Sequence, residues 1–217
     1  MWVVKLGGSL ARDPRLANWL HMLAEFGAGR VTVVPGGAAF ADTVRQAQAH
    51  WGFDDLAAHN MAVLAMAQTA HMLHALEPRL VLAANDSAIR QALHGGRPAL
   101  WLPYSVLRDA PDLITTWEVS ADSLAIWLAR RLNAERLVVV KACELDAMRP
   151  FTELAEAGVL DARFAAWAEG APFPIELVQA DDVDRVQRGL LSGDFAATGH
   201  GDASRAALRR LRRIPRA

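Results

Sequence analysis

Cysteine is nearly absent from this chain. Cys143 stands alone, so no internal disulfide and no cysteine-based metal cluster can form. That usage suits a reducing, cytoplasmic setting. Long apolar runs are missing too: no stretch reaches the roughly 18 residues a membrane helix needs, although 53% of the 217 residues are hydrophobic. Net charge is almost nil, at −1, so no global field points to nucleic acid or a membrane surface. No basic n-region or apolar h-region precedes the first strand pattern, and no signal peptide is expected. Neither Gly-x-Gly-x-x-Gly nor Gly-Lys-Ser/Thr occurs, which argues against a dinucleotide oxidoreductase and a P-loop protein. His71 and His74 have i, i+3 spacing but no accompanying carboxylate in a ligand pattern, so no metal site is expected. Internal repeats and low-complexity linkers are also lacking, and one domain of at most two lobes is the expectation.

Lysine is the scarcest charge. Of 23 basic residues only Lys5 and Lys141 are lysines, and both follow apolar strand-like runs, Val3-Val4 and Leu137-Val138-Val139-Val140. A lysine there is costly without an anionic partner. Its compact ammonium suits a phosphate in a tight site where a planar guanidinium does not fit.

The stretch around Lys5 organises the rest. Trp2-Val3-Val4 reads as a strand; Lys5, Leu6 and Gly7-Gly8-Ser9 come next. The glycines let backbone N–H groups approach a ligand, and Ser9 is a suitable cap for a helical segment. Strand, lysine, glycine turn and helix together form a phosphate-cradle pattern. The order repeats: a helix over 13–26, a strand at 30–34, then Pro35-Gly36-Gly37 and a helix over 40–50. Two strands ending in glycine pairs put two anion-binding turns on one sheet edge, where open α/β folds bind ligands.

Residues 54–76 form a long helical segment, rich in Ala and Met and apolar nearly all round, suited to burial or a two-fold subunit interface. Further strands are expected at 80–83, 99–102, 137–140 and 175–178, with a closing strand at 195–198. Short helices are expected at 87–94, 152–157, 161–167 and 182–190, and a short helix or turn at 104–110. Ser120 is an N-cap candidate, and the dipole of the helix it opens should keep Asp122, in the first turn, ionised. The tail from Arg205 to Arg216 carries six arginines and reads as a solvated end.

Val4-Lys5-Leu6-Gly7-Gly8-Ser9, Val33-Val34-Pro35-Gly36-Gly37, Ser120-Ala121-Asp122-Ser123-Leu124-Ala125 and Val140-Lys141-Ala142-Cys143-Glu144-Leu145-Asp146 resemble, in order and spacing, the amino acid kinase family. The resemblance implies a three-layer αβα sandwich on an open, mostly parallel sheet of about eight strands. It implies phosphoryl transfer from ATP with Mg2+ to an acid or phosphate acceptor. Lys5, Asp122 and Lys141 would be catalytic: Lys5 on the transferring group, Asp122 holding the two lysines. Gly7, Gly8, Ser9, Lys141, Cys143, Asp146 and Met148 would bind nucleotide. Gly36, Gly37, Asp55, His59, Trp117, Glu118 and Ser120, with Asp86, would face the acceptor. An acceptor lobe of about residues 1–130, a nucleotide lobe of about 131–202 and a basic tail at 203–217 are implied. Two features depart from the family pattern: no lysine comes after Lys141, so Lys141 or Arg149 would fill that place, and Val-Asp-Gly appears as Leu145-Asp146-Ala147.

Within the family, the segments 117–125 and 35–42 look most like the small kinases of methanogens and methylotrophs; the resemblance implies the acceptor of the methanogen relative, an aminomethylfuran-methyl phosphate of methanofuran biosynthesis. Uridylate kinase is the alternative enzyme. A non-catalytic anion-binding protein on the same fold is the alternative of another class, and the presence of all three of Lys5, Asp122 and Lys141 favours an enzyme. A homodimer or higher homo-oligomer is expected, with small-molecule partners and neither nucleic acid nor membrane.

Overall fold

The computed structural model describes residues 1–146 and 149–193. Among these, six strands form one sheet: β1 (Trp2–Leu6), β2 (Val31–Pro35), β3 (Val81–Ala83), β4 (Ala99–Trp101), β5 (Arg136–Lys141) and β6 (Ile175–Gln179). Their order is β3-β4-β2-β1-β5-β6, and every pair is parallel. The fold is α/β with helices on both faces. The strand expected at 195–198 lies outside the described residues, as do Met148 and the basic tail, and six strands stand where about eight were implied.

The helices are α1 (Leu16–Phe26), α2 (Ala38–Trp51), α3 (Asp55–Leu76), α4 (Asp86–His94), α5 (Ala121–Arg131), α6 (Phe151–Glu156), α7 (Phe164–Ala168) and α8 (Val183–Ser192). Boundaries move where local chemistry intervenes. The first helix starts at Leu16 and not at 13, because Asp13 accepts from the Arg15 amide at 2.9 Å and Pro14 stands next to it. The helix expected at 161–167 runs from Phe164 to Ala168, which leaves Asp161 on a loop. Asp54 caps α3 by accepting from the Ala57 amide at 2.8 Å.

Strand alternation sorts the core into two layers. Val3, Leu137 and Val139 pack with α5, whereas Trp2, Val4, Leu6, Val138 and Val140 pack with α1 and α8. Lys5 shares the parity of Val3, and Lys141 that of Val139. Both lysines therefore leave the sheet on the α5 face, on adjacent strands, near the carboxyl ends. The chain winds outward from β1 to β2, then returns to β5 on the other side. The crevice at that reversal is where open α/β sheets place ligands. No described helix is long and apolar enough to cross a membrane.

Candidate active site

The turns after β1 and β2 touch backbone to backbone. A Cβ on Gly36 would lie 2.5 Å from the Gly8 amide nitrogen, and one on Gly7 would lie 2.9 Å from the Val140 carbonyl oxygen. Glycine is required here by close approach. Ala38, the first residue of α2, takes the left-handed region with φ 49°, an uncommon conformation for a residue with a side chain.

Behind these turns three buried charges meet. Ser120 caps α5, its hydroxyl accepting from the Asp122 amide at 3.3 Å, and Asp122 faces the sheet from the first turn. Lys141 Nζ donates to Asp122 Oδ2 and to the Val159 carbonyl, each at 2.6 Å. Lys5 Nζ forms an ion pair with Oδ1 at 2.6 Å. Lys5, Asp122 and Lys141 are 4%, 4% and 8% exposed. Burial pushes the Asp122 carboxyl up, but the ammonium groups of Lys5 and Lys141 outweigh it and hold the group below the ordinary carboxylate range. Burial, with the like charge of Lys5 second, pushes Lys141 down against the pull of Asp122. Both directions come from one arrangement: two cations share one anion, so the anion is over-satisfied and the cations under-satisfied. The trio carries a net positive charge out of bulk water, and an incoming anion would complete it.

Lys5 also borders a cavity of about 390 Å3. Gly8, Ser9, Gly36 and Gly37 line its turn side, Val63, Met66, Val119 and Leu124 its apolar wall, and Arg12, Asp42 and Arg45 its charged side. His59, Trp117 and Ser120 also line it. His59 Nε2 donates to the Val106 carbonyl at 3.1 Å, and burial lowers its pKa, so the ring stays neutral near pH 7 with its proton on Nε2. The Arg45 guanidinium sits 5.0 Å over the Trp117 ring and donates to Asp42 at 3.1 Å. The Trp117 indole N–H donates to Gln48.

The structure thus gathers Lys5, Asp122 and Lys141, and places Gly8, Ser9, Gly36, Gly37, His59, Trp117 and Ser120 around the adjoining cavity. Gly7 lies beneath, its amide donating to Val140. Other expected residues fall elsewhere. Asp55 accepts from Gln48 at 3.0 Å outside the cavity wall, Glu118 pairs with Arg163 at 2.6 Å, and Asp86 pairs with Arg131 at 2.8 Å. Cys143 is exposed after β5, and Asp146 stands 3.9 Å from Arg149. Arg12, Arg45 and Asp161 carry no signal in the sequence. Arginine is this chain's default cation, so its type alone marks nothing, and Asp161 sits in an irregular stretch without a motif. Among the described residues no group of three or more His, Cys, Asp or Glu is placed to hold a metal ion. Both Asp122 oxygens face lysines, so Mg2+ would be held mainly by phosphate oxygens, and the net-positive trio fits a polyphosphate.

Comparison with known proteins agrees with this geometry. The profile of the amino acid kinase family matches residues 1–144. The chain is 22% identical over 151 residues to the [5-(aminomethyl)furan-3-yl]methyl phosphate kinase of Methanocaldococcus jannaschii, covering 68% of each. Uridylate kinase from Archaeoglobus fulgidus superposes with a TM-score of 0.65 at 14% identity, over 87% of this chain and 95% of that one. UMP kinase from Bacillus anthracis does so at 0.61 and 15%, over 89% and 92%. At those identities the structural likeness is one of fold, whereas the family match spans most of the chain and both lysine strands. The chain belongs to the amino acid kinase family and is an ATP-dependent phosphotransferase that acts on a small acceptor.

Proposed function

We propose that the cavity beside Lys5 is the acceptor site, and that the acceptor is an aminomethylfuran-methyl phosphate of the methanofuran type. The observation that carries the reading is the Lys5–Asp122–Lys141 trio, whose unbalanced positive charge reaches through Lys5 a cavity also lined by the apolar Val63, Met66, Val119 and Leu124. A phosphate at the trio and a small flat ring against Val63, Met66 and Leu124 match the phosphate and the furan ring of such an acceptor. The similarity to the M. jannaschii kinase supports that choice of ring.

Phosphoryl transfer rests on positioning and charge neutralisation. The acceptor brings its own nucleophilic oxygen, so no side chain need attack. Lys5 would meet the transferring group and Lys141 the nucleotide phosphates, while Asp122 keeps both ammonium groups in register. ATP, entering with Mg2+, supplies the phosphoryl group. The strand ends carrying Gly7, Gly8 and Lys141, with Cys143, Asp146 and Met148 beyond, would form the nucleotide side. On this reading the chain is one domain with an acceptor lobe of about 1–130 and a nucleotide lobe of about 131–202.

ADP release should be assayed against an aminomethylfuran-methyl phosphate, UMP and acetylglutamate. The furan phosphate is expected to give a kcat/KM at least tenfold above the others. A preference for UMP would make this a uridylate kinase and reject the furan assignment.

A further inference from the structure

We infer that Asp161 is a positioning residue for phosphoryl transfer, acting through Asp122 by capping the first turn of helix α5. The inference rests on the catalytic reading of the trio. A helix leaves its first N–H groups without internal partners. In α5 an outside carboxylate takes two of them: Asp161 Oδ2 accepts from the Ser120 amide and the Ser123 amide, and from the Ser120 hydroxyl, each at 2.9 Å. Asp161 Oδ1 accepts from the Ser123 hydroxyl. Asp122 lies between the two serines so held, and its own oxygens meet two ammonium groups at 2.6 Å. A shift or roll of this first turn would break several of these bonds and separate the buried charges.

The same short segment reaches the trio a second time. Two residues before Asp161, the Val159 carbonyl accepts from Lys141 Nζ at 2.6 Å. Leu160, at 4% exposure, and Phe164, at 0%, anchor the segment in the core beside α5. One anchored strap thus fixes the acid through α5 and one of the two bases through its backbone. Its charge contributes as well, because a carboxylate is favourable at a helix N-terminus. Ser120 and Ala121 border the cavity.

The test combines kinetics with lysine NMR. Asp161→Ala should lower kcat by about 10- to 100-fold, the scale for a misplaced catalytic group, and leave both KM values within about threefold. Asp161→Asn keeps an acceptor oxygen and should restore kcat to within about threefold of the parent, since hydroxyl rotors can adapt to the amide. In an Asp122→Asn background, Asp161→Ala should cost nothing further, because residues acting as a unit are not additive. If Asp161→Ala does not fold, Ser123→Ala removes one of the four bonds and should show a smaller loss of kcat with the same non-additivity.

The chain's only lysines are Lys5 and Lys141, so protein labelled at lysine gives two resonances and a readout that needs no acceptor. Asp161→Ala, or Ser123→Ala in its place, should lower the titration of Lys141, because Asp122 then holds it less well. An unchanged kcat in the folded variant, additive losses in the Asp122→Asn background, or unmoved lysine titrations would each overturn the inference. Lys5→Ala, run in parallel, separates the two readings. If it keeps turnover, the trio assignment fails; if it is dead while Asp161→Ala is normal, only the role of Asp161 fails.

Discussion

At the scale of single residues, the trio predicts which kinetic constant each change moves. A charge at the transferring group acts where charge redistributes, and only interactions stronger in the transition state than in the ground state raise turnover. Lys5→Ala is expected to lower kcat by about 10²–10³-fold, with a much smaller change in either KM. Lys5→Arg should fare little better, because a guanidinium does not fit beside the packed Gly8 and Gly36 turns. Steady-state kinetics on folded variants checks both, and near-normal turnover in Lys5→Ala would make Lys5 structural. Lys141 adds a pH dependence. Burial and the charge of Lys5 depress its pKa from 10.5. The constant kcat/KM reports the free enzyme, so for MgATP it should fall along an alkaline limb whose apparent pKa lies below 10.5. The stability effect has the opposite sense. Between the depressed folded value and 10.5 the unfolded chain binds more protons, so folding stability rises with pH across that window as the penalty for burying a charged Lys141 is relieved. A Lys141→Met variant should lose this rise in chemical denaturation at alkaline pH, and a rise that persisted would place the titrating group elsewhere.

At the scale of elements, the strands and the glycine turns at their ends are where sequence and structure agree best, for a reason of packing, whereas Ser9, expected as a helix cap, lies inside a short 3-10 turn over Gly8–Arg12. Val3-Val4 and Val31–Pro35 are buried without a break because the sheet is covered on both faces. The glycine pairs at their ends are legible as turns, but what they touch is not. Gly36 faces the Gly8 backbone across the cleft between β1 and β2, a contact set by register. Gly36→Ala should force these turns apart and destabilise the protein by roughly 1–3 kcal/mol, the range for overpacking, read as a lowered denaturation midpoint. An unchanged midpoint would mean the turns are loosely packed. Helix starts are less legible than strands, as α1 illustrates: Asp13 engages its own neighbouring backbone and delays the helix to Leu16. The place of Lys5 and Lys141 on one face comes from period-two alternation once β1 and β5 are known to be adjacent. That adjacency joins segments more than a hundred residues apart, and no local pattern declares it. Arg12, Arg45 and Asp161 reach the site through the same long-range topology, so residue type alone does not reveal them.

At the scale of the whole molecule, α3 is the element the fold of one chain leaves incompletely used. Its inner side serves both core layers: Val63 and Met66 pack in one, and Ala67, Ala70 and Leu73 in the other. Its outer side is an exposed stripe, Met61, Leu64, Gln68, His71 and Ala75, recurring at alternate spacings of three and four. Met61 is 38% and Leu64 45% exposed, and Leu76 at the helix end 61%. A surface helix on a monomer ordinarily turns a charged face outward, and this stripe holds no aspartate, glutamate, lysine or arginine. The spacing of three and four is the one that lets two helices pack along a shared seam. A two-fold pairing of α3 with its copy places the same stripe on both sides and closes without leaving an open surface. Light scattering at micromolar concentration should therefore give twice the mass of the chain. Leu64→Asp puts a charge in the middle of the stripe, where it would meet its own symmetry mate. That variant should run as a monomer with an unchanged far-ultraviolet circular dichroism spectrum, since Leu64 belongs to neither core layer. A parent protein of single-chain mass, or a Leu64→Asp variant that stays dimeric, would place the interface elsewhere or remove it.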